Sequence, residues 1–304
     1  MKVSGKFWRI AKHLQTEQLQ RTRADDIGFS ETDLFNLDIG KRGGELFLGF
    51  YSREGIKLAL EKYGVYRILE QKGFTELKTD IDTSDPYKHR ITIYRGAKYQ
   101  RNLIIELVLR KHFINMNLPF NCSVNGRHYM NLAIDWLRIQ NIDAEFTGSK
   151  PPLPGQLYPG LGLSWAVLEL LLIVCWRLNL SGLINVPDHY HNACIYSRVF
   201  AYINPDVQAQ LEVLKKSFRH LPLAKISWGV EWGCVFNVNL NQTFKWVINQ
   251  QILPVDNELK NIFSGRAYKE YVNERMANYN FVFDESKYIQ CKKKYNENNK
   301  EKCI

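Results

Sequence analysis

The chain has no Cys-x-x-Cys pair. Its six cysteines (Cys122, Cys175, Cys194, Cys234, Cys291, Cys303) are scattered, two of them in strongly apolar surroundings. A disulfide scaffold and a Cys-ligated metal are thereby disfavoured, and reduced, buried thiols in a cytoplasmic protein are the expectation. Bilayer-length apolar runs are also lacking. The longest, Trp165–Leu178, contains Glu169 and Arg177 and is shorter than the ~20 residues a span requires. Residues 1–23 hold no continuous apolar segment of the signal-peptide kind. Proline is sparse, at 10 in 304 residues, and neither an internal repeat nor a heptad pattern is present, so the chain reads as one large or two ordinary globular domains.

The net charge of +10 is carried by the ends of the chain. Residues 1–23 contribute +5 and residues 287–304 contribute +4, leaving +1 for everything between. A nucleic-acid-binding fold places its basic face in the body, so no specific nucleic-acid partner is expected.

Periodicity divides the body into strands and helices. Residues 1–32 form a basic polar leader in which Phe7, Trp8, Ile10 and Leu14 suit one short amphipathic helix. Residues 45–50 read as a strand. Ser52 then caps a helix of some five turns that breaks at Gly64 and stops near Gly73. Residues 74–81, 90–95, 103–109 and 132–139 are strand candidates. Glu106 interrupts the most apolar of them, and a carboxylate there needs water, a partner or a site, which makes it a candidate general base. The apolar run 165–178 is a helix covered on most sides. Residues 183–186 make a strand, a helix carrying Tyr196 follows, and residues 207–214 form another helix. Residues 221–230 and 234–238 read as short strands or loops. The expected organisation is a single body over 33–257, a C-terminal helix over 258–285 and a disordered Lys/Asn-rich basic tail over 286–304.

The stretch richest in chemistry is the loop Gln156-Leu157-Tyr158-Pro159-Gly160-Leu161-Gly162, which leads to Ser164 as an N-cap and then into the apolar helix. Glycines allow close backbone approach, and the free amides of a helix start favour an anion. A Walker loop would need Lys-Ser/Thr where Leu163-Ser164 stand, and a dinucleotide fingerprint would need a third glycine where Trp165 stands, so nucleoside triphosphates and NAD are disfavoured.

From Gln156 through Gly160 and Gly162, and on to Ala193, Tyr196 and Phe200, the order of parts resembles the GNAT superfamily of N-acetyltransferases, whose acyl-CoA loop is Gln/Arg, two variable residues, Gly, one variable residue, then Gly or Ala. The spacing from Gln156 to Gly160 is one residue longer than that pattern, and Gln140–Pro154 lengthens the connection before the loop. The resemblance implies an α/β (α+β) fold with a mixed, mostly antiparallel central sheet flanked by helices, its cofactor half over about 130–215. It also implies acetyl-CoA or another acyl-CoA as co-substrate, held by Gln156, Gly160, Leu161, Gly162 and Ser164. The acyl group would pass directly to a small-molecule or peptide amine. Tyr196 would protonate the leaving thiolate, and Glu106 or His191 would take the amine proton, with no metal.

Two other readings stand beside it. Asp188, His189 and His191 form a His-x-His cluster that, with a further ligand such as His128 or His112, would suit a metal-dependent hydrolase. The irregular loop spacing would also suit a non-catalytic ligand-binding or scaffold protein.

Overall fold

The computed structural model describes residues 1–21 and 46–301, with side chains to residue 297. The boundary expected at 32/33 lies outside them, as does Glu45. The described chain divides into two compact units that interleave in sequence. Unit 1 comprises 1–114, 129–145 and 158–183; unit 2 comprises 115–128, 146–157 and 184–304.

Unit 1 opens with the amphipathic helix α1 (Gly5–His13), followed by α2 (Thr16–Gln20). In place of the strand expected at 45–50 the described residues make a tight turn closed by one Phe47–Tyr51 bridge, with Leu48 at φ 54° and Gly49 at φ 65°. Left-handed backbone at two successive positions cannot continue a strand. Ser52 caps α3 (Arg53–Lys62) as expected, its Oγ accepting from the Gly55 amide at 2.9 Å. Gly64, at φ 78°, ends that helix and starts α4 (Val65–Gln71). The strands β1 (Leu77–Asp82), β2 (His89–Arg95), β3 (Leu103–Asn115) and β4 (His128–Ile139) come next, with a 3₁₀ turn over Gln100–Asn102. Helix α5 (Ser164–Arg177) and strand β5 (Gly182–Asn185) follow.

Pairing is antiparallel from β1 to β2 and from β2 to β3, where Ile91 faces Leu107, Thr92 faces Glu106 and Ile93 faces Ile105. Strand alternation therefore puts Ile91, Ile93, Ile105 and Leu107 on one face and Glu106 on the other. An apolar cluster of Leu69, Phe74, Ile93, Ile104, Ile105 and Leu161 consolidates the unit. Each such side chain contributes about 1.5–3 kcal/mol by leaving water.

Unit 2 carries α6 (Tyr190–Tyr196), β6 (Ala201–Tyr202), α7 (Pro205–Ser217), α8 (Leu223–Glu231), β7 (Val235–Asn237), β8 (Gln242–Thr243), β9 (Gln251–Pro254), α9 (Asn257–Ser264), α10 (Arg266–Met276), β10 (Phe281–Phe283) and α11 (Glu285–Glu301). Residues 221–230, read from sequence as strands or loops, are helical in α8. Their β-branched and aromatic residues bias toward strand, but Ile226, Gly229 and Val230 fall on one helical face and are buried. The helix expected over 258–285 is broken at Gly265 and ends before β10. The C-terminal segment expected to be disordered forms α11 instead. Its Tyr288 is buried, and Tyr295 lies 4.7 Å from Trp228 between ring centroids, so a few aromatics anchor an otherwise polar helix.

Among the described residues, a seven-stranded, mostly antiparallel sheet flanked by helices runs in the order β1-β2-β3-β4-β5-β9-β6, and β10-β7-β8 form a second, small sheet. This is the mixed α+β architecture expected from the sequence.

Candidate functional site

In unit 1 the glycine loop crosses the end of β4. Gly160 bridges Gln140, the residue just past that strand, and the Asn141 amide donates to the Pro159 carbonyl at 2.7 Å. Leu161 is buried in the unit's apolar cluster, while Gly160 and Gly162 on either side remain exposed. The loop is thus pinned by one side chain with its bare backbone outward. Gly162 has φ 73°, a conformation that favours glycine.

Ser164 was expected at the N-cap. It is instead the first residue of α5, with Leu163 in the cap position and no side chain bonding the first-turn amides. The left-handed Gly162 turns the chain into the helix one residue early. A 14-residue helix therefore begins with its orphan N–H groups uncovered by any capping side chain.

Glu106 lies near this loop along β3. The Gln140 amide donates to the Ile104 carbonyl and its Nε2 to the Leu103 carbonyl, so the loop and Glu106 are separated by a few residues of neighbouring strand. The carboxylate is largely buried and stands between two guanidinium groups, with Arg90 Nη1 at 3.4 Å and Arg138 Nη1 at 4.0 Å. These two arginines answer the cost of a carboxylate in an apolar strand. Sequence reasoning missed them because the partners come from β2 and β4.

Gln156, Tyr196 and His191 belong to unit 2. Gln156 closes a local turn, its Oε1 accepting from the Leu153 amide at 3.2 Å. Tyr196 ends α6 and meets Phe200 edge to face at 5.7 Å, and burial raises its phenol above the ordinary tyrosine value. His191 is buried, and its Nδ1 makes no hydrogen bond. Burial, with the neighbouring His189 adding to the effect, lowers its imidazole to about 4.

His189 stacks on His191 at 5.4 Å, and its Nδ1 lies 3.1 Å from Glu231 Oε2. On its other side Nε2 comes so close to Gly155 that an added Cβ would stand 2.9 Å from it. The segment bearing Gly155 is held by Trp228, whose Nε1 donates to the Pro152 carbonyl at 2.8 Å. An imidazole oriented by a carboxylate is a usual base arrangement. The sequence carried no sign of the pair, since Glu231 is 42 residues away and ends a helix misread from its composition. Cys194 is no competing nucleophile, because burial raises its thiol to about 11.

Among the described residues no three or more His, Cys, Asp and Glu side chains gather into a set that would hold a metal ion, so Asp188, His189 and His191 do not form one. Nor is any described helix long and apolar enough to cross a membrane. Comparison of the chain with protein-family models, with curated protein sequences and with solved structures returned no match.

Proposed function

We propose that the chain is a GNAT-like, acyl-CoA-dependent N-acyltransferase. The observation that carries this reading is the Gly160-Leu161-Gly162 loop. It is anchored by buried Leu161, presents bare backbone at Gly160 and Gly162, and leads into the uncapped start of α5. Backbone amides at a helix start are suited to the pyrophosphate of CoA. The succession β4, glycine loop, α5, β5, α6 follows the order of parts that the sequence resemblance implies.

In this reading an amine attacks the thioester carbonyl, its proton passes to a base, and the departing thiolate takes a proton from an acid. Tyr196, its phenol raised by burial, keeps its proton at neutral pH and is assigned as the acid. Glu106 and His191 are the bases assigned from sequence. His189, oriented by Glu231, joins them as a base in better contact with water, because His191 is enclosed and Glu106 is engaged by two arginines. The acceptor is a small-molecule or peptide amine.

The test is thermal unfolding with acetyl-CoA, longer acyl-CoAs and desulfo-CoA, on the wild type and on Gly160→Asp/Gly162→Asp. A ligand of the native state raises the midpoint by mass action. The rise is expected in the wild type and is expected to vanish in the double variant, whose carboxylates repel the pyrophosphate. Because Asp at a left-handed position is itself strained, the ligand-induced shift is compared and not the midpoint. No rise with any CoA at millimolar concentration would sink the reading.

A further inference from the structure

Unit 1 contains an apolar cavity of about 120 Å³. Its floor is the Ile91, Ile93, Ile105 and Leu107 face of β2 and β3, opposite to the face that bears Glu106, and its walls are α3 and α5. It is far larger than the ~10–15 Å³ that one water occupies, and an apolar cavity of this kind stays dry or takes an apolar guest.

The polar groups of the lining are few and of one kind. Arg177 is the only charged residue among those lining the cavity, and Tyr51 and Tyr63 are the only others with a polar side chain. Arg177 Nη2 donates to the carbonyls of Ala11 and Leu14 at the end of α1. Among the described residues no carboxylate pairs with the guanidinium. Tyr63 is 5% exposed, and its hydroxyl has no hydrogen-bond partner within 3.5 Å. Arg177 is near enough for its charge to oppose the rise that burial imposes on both Tyr51 and Tyr63, and its guanidinium also acts on the Tyr63 hydroxyl as a weak, long hydrogen-bond donor. A buried hydroxyl without a partner calls for one. A guanidinium with no carboxylate partner among the described residues calls for an anion, and its planar fork matches a carboxylate.

We infer that this cavity is a binding site for a medium-chain aliphatic carboxylate, the tail lying against β2 and β3 and the head on Arg177 and Tyr63. The site is independent of the acyl-CoA reading, since it uses neither the glycine loop nor Glu106.

The test is calorimetric titration of the full chain with decanoate and with decan-1-ol, supported by thermal unfolding. Decanoate is expected to bind and to raise the unfolding midpoint with concentration. Arg177→Gln should weaken decanoate by about tenfold, the scale of one lost charged hydrogen bond, and leave decan-1-ol unchanged. Because that change also removes the bonds to Ala11 and Leu14, Tyr63→Phe is the second variant; it leaves those bonds intact and should weaken decanoate severalfold. Ala59→Phe, which fills the cavity from α3, should abolish binding of both ligands. The Gly160→Asp/Gly162→Asp variant should bind decanoate as the wild type does, so failure of the CoA test leaves this one standing. Absence of decanoate binding at millimolar concentration would overturn the inference. So would binding that survives Ala59→Phe, or an equal loss of acid and alcohol in Arg177→Gln.

Discussion

His191 shows how far a single residue's surroundings can depart from what its neighbours in sequence suggest. It stands in a polar stretch, Asp188 to Asn192, that opens α6, yet it is 2% exposed with an unpartnered Nδ1. Its imidazole titrates at about 4 when folded and near the ordinary 6.5 when unfolded. Between those values the unfolded chain binds the extra proton. The stability that His191 contributes is therefore complete above pH 6.5 and is lost as pH falls towards 4. The loss is on the order of 3 kcal/mol at full extent. The groups facing the ring are His189 and, through it, Glu231. His89, whose Nδ1 accepts from the Leu48 amide and whose imidazole is also lowered by burial, adds to the slope with the same sign. Urea unfolding of His191→Phe between pH 4 and 7 should show a flatter pH dependence than the wild type, with stability at pH 7 within about 1 kcal/mol because no partnered hydrogen bond is lost. An unchanged slope would mean that the ring is not titrating as its burial implies.

At the scale of elements, the junction of α2 with α3 is a close one. The Ser52 amide donates to the Leu19 carbonyl at 2.9 Å, and Ser52 Oγ donates to the Arg21 carbonyl at 2.7 Å. Gly55, in the first turn of α3, lies so close that an added Cβ would stand 1.9 Å from the Leu19 carbonyl oxygen. Gly55→Ala is therefore expected to destabilise the protein by about 3 kcal/mol or more, although alanine is the better helix former by about 1 kcal/mol. Chemical denaturation would decide between the two effects, and a stabilised variant would refute the close approach. The cap at Ser52 and the break at Gly64 were readable, because capping and left-handed turns are local. The need for glycine at position 55 was not, because its cause is the backbone of another helix. Helix α8 illustrates the same point, since burial of one face outweighed a composition that favours strand.

At the scale of the whole molecule, charge is segregated to the ends. Lys292, Lys293 and Lys294 are exposed on α11, with no salt bridge to any described residue. Replacing all three with Ser should lower retention on a polyanionic matrix at low salt and reduce its salt dependence, leaving the thermal midpoint nearly unchanged. An altered midpoint would mean that these lysines hold α11 in place and not merely decorate it. The division into two interleaved units is likewise a whole-molecule property, as no shift in composition marks the places where the chain passes from one unit to the other.

What the sequence determined by itself is whatever depends on near neighbours. The α5 helix and its glycine loop, the strands β1 to β4, the Ser52 cap and the basic ends follow from periodicity, backbone preference and composition within a few residues. Only the tertiary structure decided the order of strands, the two arginines on Glu106, the pairing of His189 with Glu231 and the cavity beside Arg177. Each of these joins residues far apart in the chain. Their attraction depends on distances and desolvation that exist only once the chain has folded, so a one-dimensional pattern carries no trace of them.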